Sequence, residues 1–393
     1  MIRAWLVPAG LLGFLGVLIV YPMLLLLTRG IGLDTLQSTY IFTRLLQTLL
    51  QAALSSLLVF GLSLLCGPLL GRYRFWGKPL LEAWLGVPFV VPVMVAGLGF
   101  LAIFGARGLV KLEGTLALVL LANLFYNLGT AVRLTMNAPY SPELEMVARL
   151  EGANSWQVWC IVSLPVALPF ALVGSGFAFL YSFASFAVPL LLGGSQFATL
   201  EVEMYQAVQR LELEDASALA LLQAGLMLIF GWALLHLERA TSQPALWQQQ
   251  KPLARGATRA LVGFVVFGLL VLTTLPLLAV LWRSLSGVDG LTLRHYIRLL
   301  ENAEVLLLAF GNNIGFATLT LLFVVPLAVL FANFIWQRNN RFFDLFSLLP
   351  LAVSSTVLGV GLIVAYPFWA AQLPLLIAVY ALQALPLVTR AML

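Results

Sequence analysis

Charge is what this chain has least of. Asp, Glu, Lys and Arg make up 9% of its 393 residues, against roughly a quarter in a soluble domain. That is too little to cover a water-facing surface, so an ordinary soluble protein is excluded. Cysteine and histidine are scarcer still, with two of each. Cys66 and Cys160 lie in or beside apolar runs without paired spacing, which reads as packing rather than disulfide or metal chemistry. His236 and His295 are isolated, so no metal constellation is visible. Ten-residue segments of alternating polarity, the mark of a membrane barrel, are absent. A phosphate-binding loop is absent too. The nearest match, GRYRFWGK (Gly71–Lys78), has five residues between its glycines and Pro79 after the lysine, where such a loop needs four and then Ser or Thr.

Apolar sequence is abundant. Hydrophobic residues reach 62% and the mean hydropathy is +1.01. Runs long enough to cross about 30 Å of hydrocarbon, roughly 20 helical residues, recur along the chain. The expected fold is an all-α integral membrane protein of about ten transmembrane helices. They fall near 5–27, 45–70, 84–105, 115–136, 164–190, 216–237, 260–283, 304–332, 345–367 and 373–393. The net charge of +5 does not point to nucleic acid, because the basic residues flank the spans and so set topology. More of them fall inside if the N-terminus is cytoplasmic. That orientation makes 238–258, rich in Gln, Pro and basic residues, a cytoplasmic linker. It puts the acidic run 195–215, with Glu201, Glu203, Glu212, Glu214 and Asp215, outside, as a solvated face or a docking surface.

The two sides of the linker repeat each other. LGVPFVVPVMVAGLGFLAIF (Leu85–Phe104) and SLLPLAVSSTVLGVGLIVAY (Ser347–Tyr366) carry Pro88, Gly97 and Gly99, and Pro350, Gly359 and Gly361, at equal intervals. NLGTAVRLTM (Asn127–Met136) parallels ALPLVTRAML (Ala384–Leu393), with Arg133 matching Arg390. A basic turn precedes each copy, RYRFWGK in one and QRNNR in the other. The expected organisation is a first repeat at 1–237, the linker 238–258, and a second, incomplete repeat at 259–393. A parallel repeat fits two equivalent halves about a central path.

The segment 138–165 departs from this greasy pattern. Ser141 can cap a helix, with Pro142 at its first position and Glu143 and Glu145 in its first turn. Gly152 supplies a stop. Asn154 or Ser155 can cap a second short helix through Trp156 and Trp159, and Pro165 marks the entry to the next span. A structured polar helix pair with an apolar stripe fits a protein partner.

The spacing of Ala148, Gly152, Val162, Leu164 and Pro165 resembles the signature loop of binding-protein-dependent ABC transporter permeases. Met146-Val147-Ala148 stands where that family has Glu-Ala-Ala, with Glu145 one place early. SFASFAVPLLLGG (Ser182–Gly194) followed by TLEVEMY (Thr199–Tyr205) is similar to permeases of the ferric-iron and thiamine group, which often fuse both halves in one chain. The resemblance implies an inner-membrane importer subunit for a small solute, iron(III) or thiamine-like. It implies that Glu145, Met146, Val147, Ala148, Gly152, Ala153, Ser155, Leu164 and Pro165 form the ATPase-docking loop. Partners would be two cytoplasmic ATPase subunits, which use ATP and Mg²⁺, and an extracytoplasmic binding protein. This chain would bind no cofactor and catalyse nothing itself. The offset of the second repeat puts a second such loop beyond Leu393, so the sequence is expected to be a fragment of a longer permease.

The competing class is an ion-coupled secondary transporter, which usually buries charge in the membrane. Here Glu82, Glu113, Glu301 and Asp344 fall at span ends or in loops. The mid-span polar residues are neutral: Gln51, Asn123, Asn127, Asn312 and Asn313. They are candidates for lining the path, or for hydrogen bonds between helices. No convergent nucleophile, acid–base or metal set supports an enzyme.

Overall fold

A computed structural model describes residues 10, 12–29, 39–194, 197–241, 252–287, 290–338, 350 and 353–392. Residues 242–251 of the expected linker, 339–341 of the second basic turn, 345–349 and 351–352 of the ninth expected span, and 195–196 of the acidic run lie outside the described residues.

Among the described residues the chain is almost wholly helical. In order the helices are α1 (Leu12–Thr28), α2 (Thr39–Arg72), α3 (Lys78–Trp84), α4 (Val87–Val90), α5 (Val93–Phe104), α6 (Leu116–Met136), α7 (Pro142–Leu150), α8 (Ser155–Phe183), α9 (Ala187–Leu192) and α10 (Leu200–Gln209). They continue as α11 (Leu213–Thr241), α12 (Gly256–Ser284), α13 (Arg294–Glu301), α14 (Ala303–Arg338), α15 (Ser355–Ala365) and α16 (Leu373–Met392). By length and apolarity six can cross a membrane, α2, α6, α8, α11, α12 and α14, or seven if α3–α5 counts as one broken span. The remaining expected spans coincide with the shorter apolar helices α1, α15 and α16. The count of ten is therefore not reached on these criteria.

The broken span turns by 95° between Val90 and Val93. Val91 is extended, with φ −64° and ψ 127°, and Pro92 follows it. A proline disfavours helical geometry in the residue before it, which places the break there.

The chain forms two compact units that alternate along the sequence. One comprises Met1–Phe42, Glu203–Ile229 and Gly287–Leu393; the other comprises Thr43–Val202 and Phe230–Ser286. In the second, α6 is the central helix, and Leu124, Leu128, Ala131, Val132 and Met136 are buried on it. Small residues let its neighbours come close. A methyl group at Gly174 of α8 would stand 2.7 Å from the Ala131 Cα, and one at Gly67 of α2 would overlap the Thr135 side chain. Helix α12 crosses α5 where Gly99 meets Pro276, and Trp84 Nε1 donates to Thr273 Oγ1 at 3.1 Å.

In the other unit α1, α14, α15 and α16 share a core that includes Leu15, Leu18, Val324, Phe331, Leu358 and Leu385. Tyr366 donates to the Val17 carbonyl at 2.8 Å, and Gly361 of α15 faces Pro22 and Met23 of α1. So α5 is covered by α12, and α15 by α1. The two covering helices also match in sequence: VLIVYPMLLLLTR (Val17–Arg29) and VLTTLPLLAVLWR (Val271–Arg283) place Pro22 and Pro276 alike.

Candidate functional site

The polar segment after α6 is built on the C-terminal end of α2. Gly67 and Gly71, one helical turn apart, bring α2 against the end of α6. A methyl group at Gly71 would stand 2.5 Å from the Tyr140 ring and 2.6 Å from the Met136 carbonyl oxygen. Lys78 closes the helix end by donating to the carbonyls of Leu70 at 2.7 Å and Tyr73 at 3.2 Å. Such carbonyls have no partner within the helix, and a cation there also suits the helix dipole. Tyr140 folds over this end and donates to the Thr135 carbonyl at 2.6 Å. Burial pushes its phenol pKa up; the smaller effects of Arg72, downward, and Glu145, upward, oppose each other. The hydroxyl therefore stays a donor.

Helix α7 begins as its sequence dictates. Ser141 Oγ accepts from the Leu144 N–H, Pro142 opens the helix, and Glu143 and Glu145 sit in the first turn. It ends in a Schellman arrangement: Gly152 N–H donates to the Arg149 carbonyl and Ala153 N–H to the Ala148 carbonyl, at 3.1 and 3.0 Å. Gly152 has φ +91°, the left-handed region that favours glycine. Asn154 then caps α8 in a reciprocal box, accepting from Gln157 N–H at 2.9 Å while its own N–H donates to Gln157 Oε1 at 2.8 Å.

The second short helix expected from the sequence is not separate. Residues Ser155–Val158 pass through a π-turn at Trp159–Ser163 into the long helix without a break at Pro165. A proline ring clashes with the carbonyl four residues before it; here that carbonyl, of Ile161, lies in the wider turn, and the helix continues.

No residue of α7 is buried. Leu144, Met146, Val147 and Leu150 are exposed, and across the Gly152 turn so are Trp156 and Ile161. Trp156 and Trp159 stack with centroids 5.0 Å apart. Of the other expected loop residues, Gly152, Ser155 and Pro165 are exposed, and Ala148, Ala153 and Leu164 are half-buried. Glu145 turns its charged end back into the protein. Arg72 Nη2 donates to its Oε2 at 2.6 Å, with Nε 2.5 Å from Oε1, and the two side chains are 8% and 15% exposed. Neither this pair nor the Gly67/Gly71 spacing beneath it was among the expected site residues. That spacing was the available signal.

The expected path residues separate into two groups. Gln51, Asn123 and Asn127 are buried and joined. Asn123 Nδ2 donates to Gln51 Oε1 at 2.8 Å and Ser55 Oγ at 2.9 Å, Gln51 Nε2 donates to the Ser182 carbonyl, and Asn127 Nδ2 donates to the Asn123 carbonyl. Asn312 and Asn313 are exposed on α14.

The acidic run is less solvated than its composition implied, because Glu201 and Glu203 are buried. Glu203 accepts from Tyr40 at 2.8 Å and from Arg210 at 3.3 Å, and Arg210 also donates to Glu212 at 2.7 Å. Arg210 gains proton affinity, first from Glu212 and then from Glu203. A recess of about 230 Å³ opens beside them, reaching Asp215 and Leu219.

Residues 59–275, which contain this loop, match the family described as binding-protein-dependent transport system inner membrane component. The chain belongs to that family. The permease is 33% identical over 201 residues to the sulfate transport system permease protein CysT of Escherichia coli, covering 47% of this chain and 72% of the relative. It is 29% identical over 342 residues to the thiamine transport system permease protein ThiP of Haemophilus influenzae, covering 79% of this chain and 61% of that one. With ThiP of Brucella abortus the identity is 29% over 388 residues, or 90% and 68%. The permease thus spans about two thirds of the length of these relatives. It is a multi-pass inner-membrane subunit of a binding-protein-dependent ABC importer for a small solute, and its family implies an ATPase and a solute-binding protein as partners.

Proposed function

We propose that α7, the Gly152 turn and the start of α8 are the surface through which an ATPase subunit drives this permease. The observation that carries this reading is the exposed apolar side of a firmly capped element: Met146, Val147, Leu150 and Trp156 are open to solvent on a segment whose backbone is held by three successive caps. A rigid apolar surface suits docking, because little freedom is lost when a partner covers it. Glu145, Met146, Val147, Ala148, Gly152, Ala153, Ser155, Leu164 and Pro165 belong to the docking loop, which lies in the cytoplasm with the N-terminus. Two ATPase subunits bind and hydrolyse ATP with Mg²⁺. This chain carries no cofactor and is not itself catalytic. Closure of the ATPases tilts the helices between inward-open and outward-open states, whose populations ligand and nucleotide shift.

The solute is thiamine-like or iron(III). Thiamine comes first, because the thiamine permeases of Haemophilus influenzae and Brucella abortus match along 79% and 90% of the chain, against 47% for the sulfate permease, although that of Escherichia coli matches along 48%. Asn312 and Asn313 are free to face a passing solute, whereas Gln51, Asn123 and Asn127 hold helices together.

Cysteine cross-linking in native membranes tests the docking. Ser155→Cys should capture the ATPase subunit, and its failure to capture a nucleotide-hydrolysing protein would sink the reading. Competition of labelled thiamine uptake by thiamine, sulfate and ferric iron then ranks the solutes; uptake blocked by sulfate alone would overturn the order.

A further inference from the structure

We propose that Arg72 is a positioning residue that makes α7 and the end of α2 move as one body, so that a push on the loop is delivered straight to a membrane-crossing helix. The inference rests on the docking role assigned to α7.

The chain between α6 and α7 is short and unbraced by regular structure, and α7 buries none of its own residues. Without a further tie, a force on α7 would be taken up by residues 137–141. Two contacts counter this: one bypasses that stretch and the other braces it from within. The first is the Arg72–Glu145 pair, which reaches from the last residue of α2 to the first turn of α7. Arg72 Nη2 makes a charge-assisted hydrogen bond to one carboxylate oxygen while Nε lies close to the other, so the guanidinium meets the carboxylate with two of its nitrogens. The pair is largely out of water, so neither partner is readily replaced by solvent. The second is Tyr140, whose ring lies over Gly71 while its hydroxyl bonds the end of α6. The glycine removes the side chain that would hold the ring off. Together they join α2, α6 and α7 at one corner.

Glu145 is therefore not an ordinary member of the docking surface. Its neighbours Met146 and Val147 point outward, and it points in. The pair does not depend on which solute is carried, so a test needs no solute.

The experiment uses the full permease assembled with its ATPase, with spin labels at Trp76→Cys, just beyond α2, and Arg149→Cys, on α7. Both positions are exposed. The label-to-label distance is measured without nucleotide and after trapping with ATP and vanadate. The expected result is one narrow distance that trapping leaves unchanged. In Arg72→Met, trapping should produce a second population displaced by about 5 Å, one helical turn. Arg72→Lys, which keeps the charge but has one nitrogen in place of two, should show a smaller second population. Arg72→Glu combined with Glu145→Arg should restore the single distance. A distance that changes on trapping in the unsubstituted labelled protein overturns the proposal. So does an Arg72→Met protein whose distance stays fixed, or an exchanged pair that remains split. The Ser155→Cys cross-link is read in the same samples: its presence with a fixed distance in Arg72→Met refutes the positioning role alone, and its absence in every sample refutes the docking role beneath it.

Discussion

The two helices that carry the glycine pairs, α5 and α15, solve one packing problem with different tightness. In both, the second glycine faces a proline of a helix distant in sequence, Pro276 of α12 or Pro22 of α1. At Gly99 the approach is backbone to backbone, since an added Cβ would stand 2.1 Å from the Pro276 carbonyl oxygen. At Gly361 the added Cβ would meet the Pro22 Cβ and the Met23 Cε, each at 3.1 Å. One crossing admits no side chain at all, and the other admits a small one if a flexible neighbour gives way. A repeated motif thus preserves which face is turned inward without preserving how close the helices come.

The largest effect should come from filling the tighter crossing. Gly99→Ala forces α5 and α12 apart along their backbones and should cost about 3 kcal/mol, the upper range for overpacking. Reversible unfolding in mixed micelles measures it, and a cost under ~1 kcal/mol would mean that the crossing is looser than the geometry indicates. Gly71→Ala comes next, at about 2 kcal/mol, because one of its obstacles is the Met136 carbonyl and the other the Tyr140 ring. It should also free Tyr140, seen as faster hydrogen exchange at residues 137–141 than in Gly99→Ala. At the looser crossing Gly361→Ala should cost about 1 kcal/mol or less. Adding Met23→Ala should remove part of that cost, a coupling that a double-mutant cycle reads directly. No such relief is available at Gly99, where the obstacle is main chain.

What the sequence disclosed follows the range of the interactions concerned. The caps of α7 and α8 were legible because Ser141, Pro142, Gly152 and Asn154 act within four residues of themselves. The spans were legible because hydrocarbon thickness sets a length that composition reports. The break between α4 and α5 was not anticipated: 84–105 was expected as one span, and the proline marked in it was Pro88 rather than Pro92. Nor was the covering of α5 by α12, because which helix covers Gly99 depends on residues far along the chain. The matching of Pro22 with Pro276 hinted at equivalence, not at contact. Glu203 was misleading for the same reason: its burial depends on Tyr40, distant in sequence. Glu145 looked like part of an outward surface until Arg72 was placed beside it. Pro165 looked like a boundary, and a single π-turn let the helix run through it.

The smallest expected effect has the opposite sign. Gly359 matches Gly97 in the sequence comparison, yet a Cβ built there meets no described residue within 4 Å, whereas at Gly97 it meets the Leu191 Cδ1 at 3.1 Å. A helix-interior glycine without a steric reason only carries the entropy cost of glycine, about 0.5–1 kcal/mol relative to alanine. Gly359→Ala should therefore stabilise the protein by a few tenths to about 1 kcal/mol, while Gly97→Ala should not, since its gain is offset against Leu191. The same unfolding measurement on the two variants gives the difference. If Gly359→Ala destabilises as Gly361→Ala does, the first glycine of the second pair is also a contact, and the two crossings are more alike than their geometry implies. If it stabilises, the pair has one structural glycine, and the other survives because nothing presses against it.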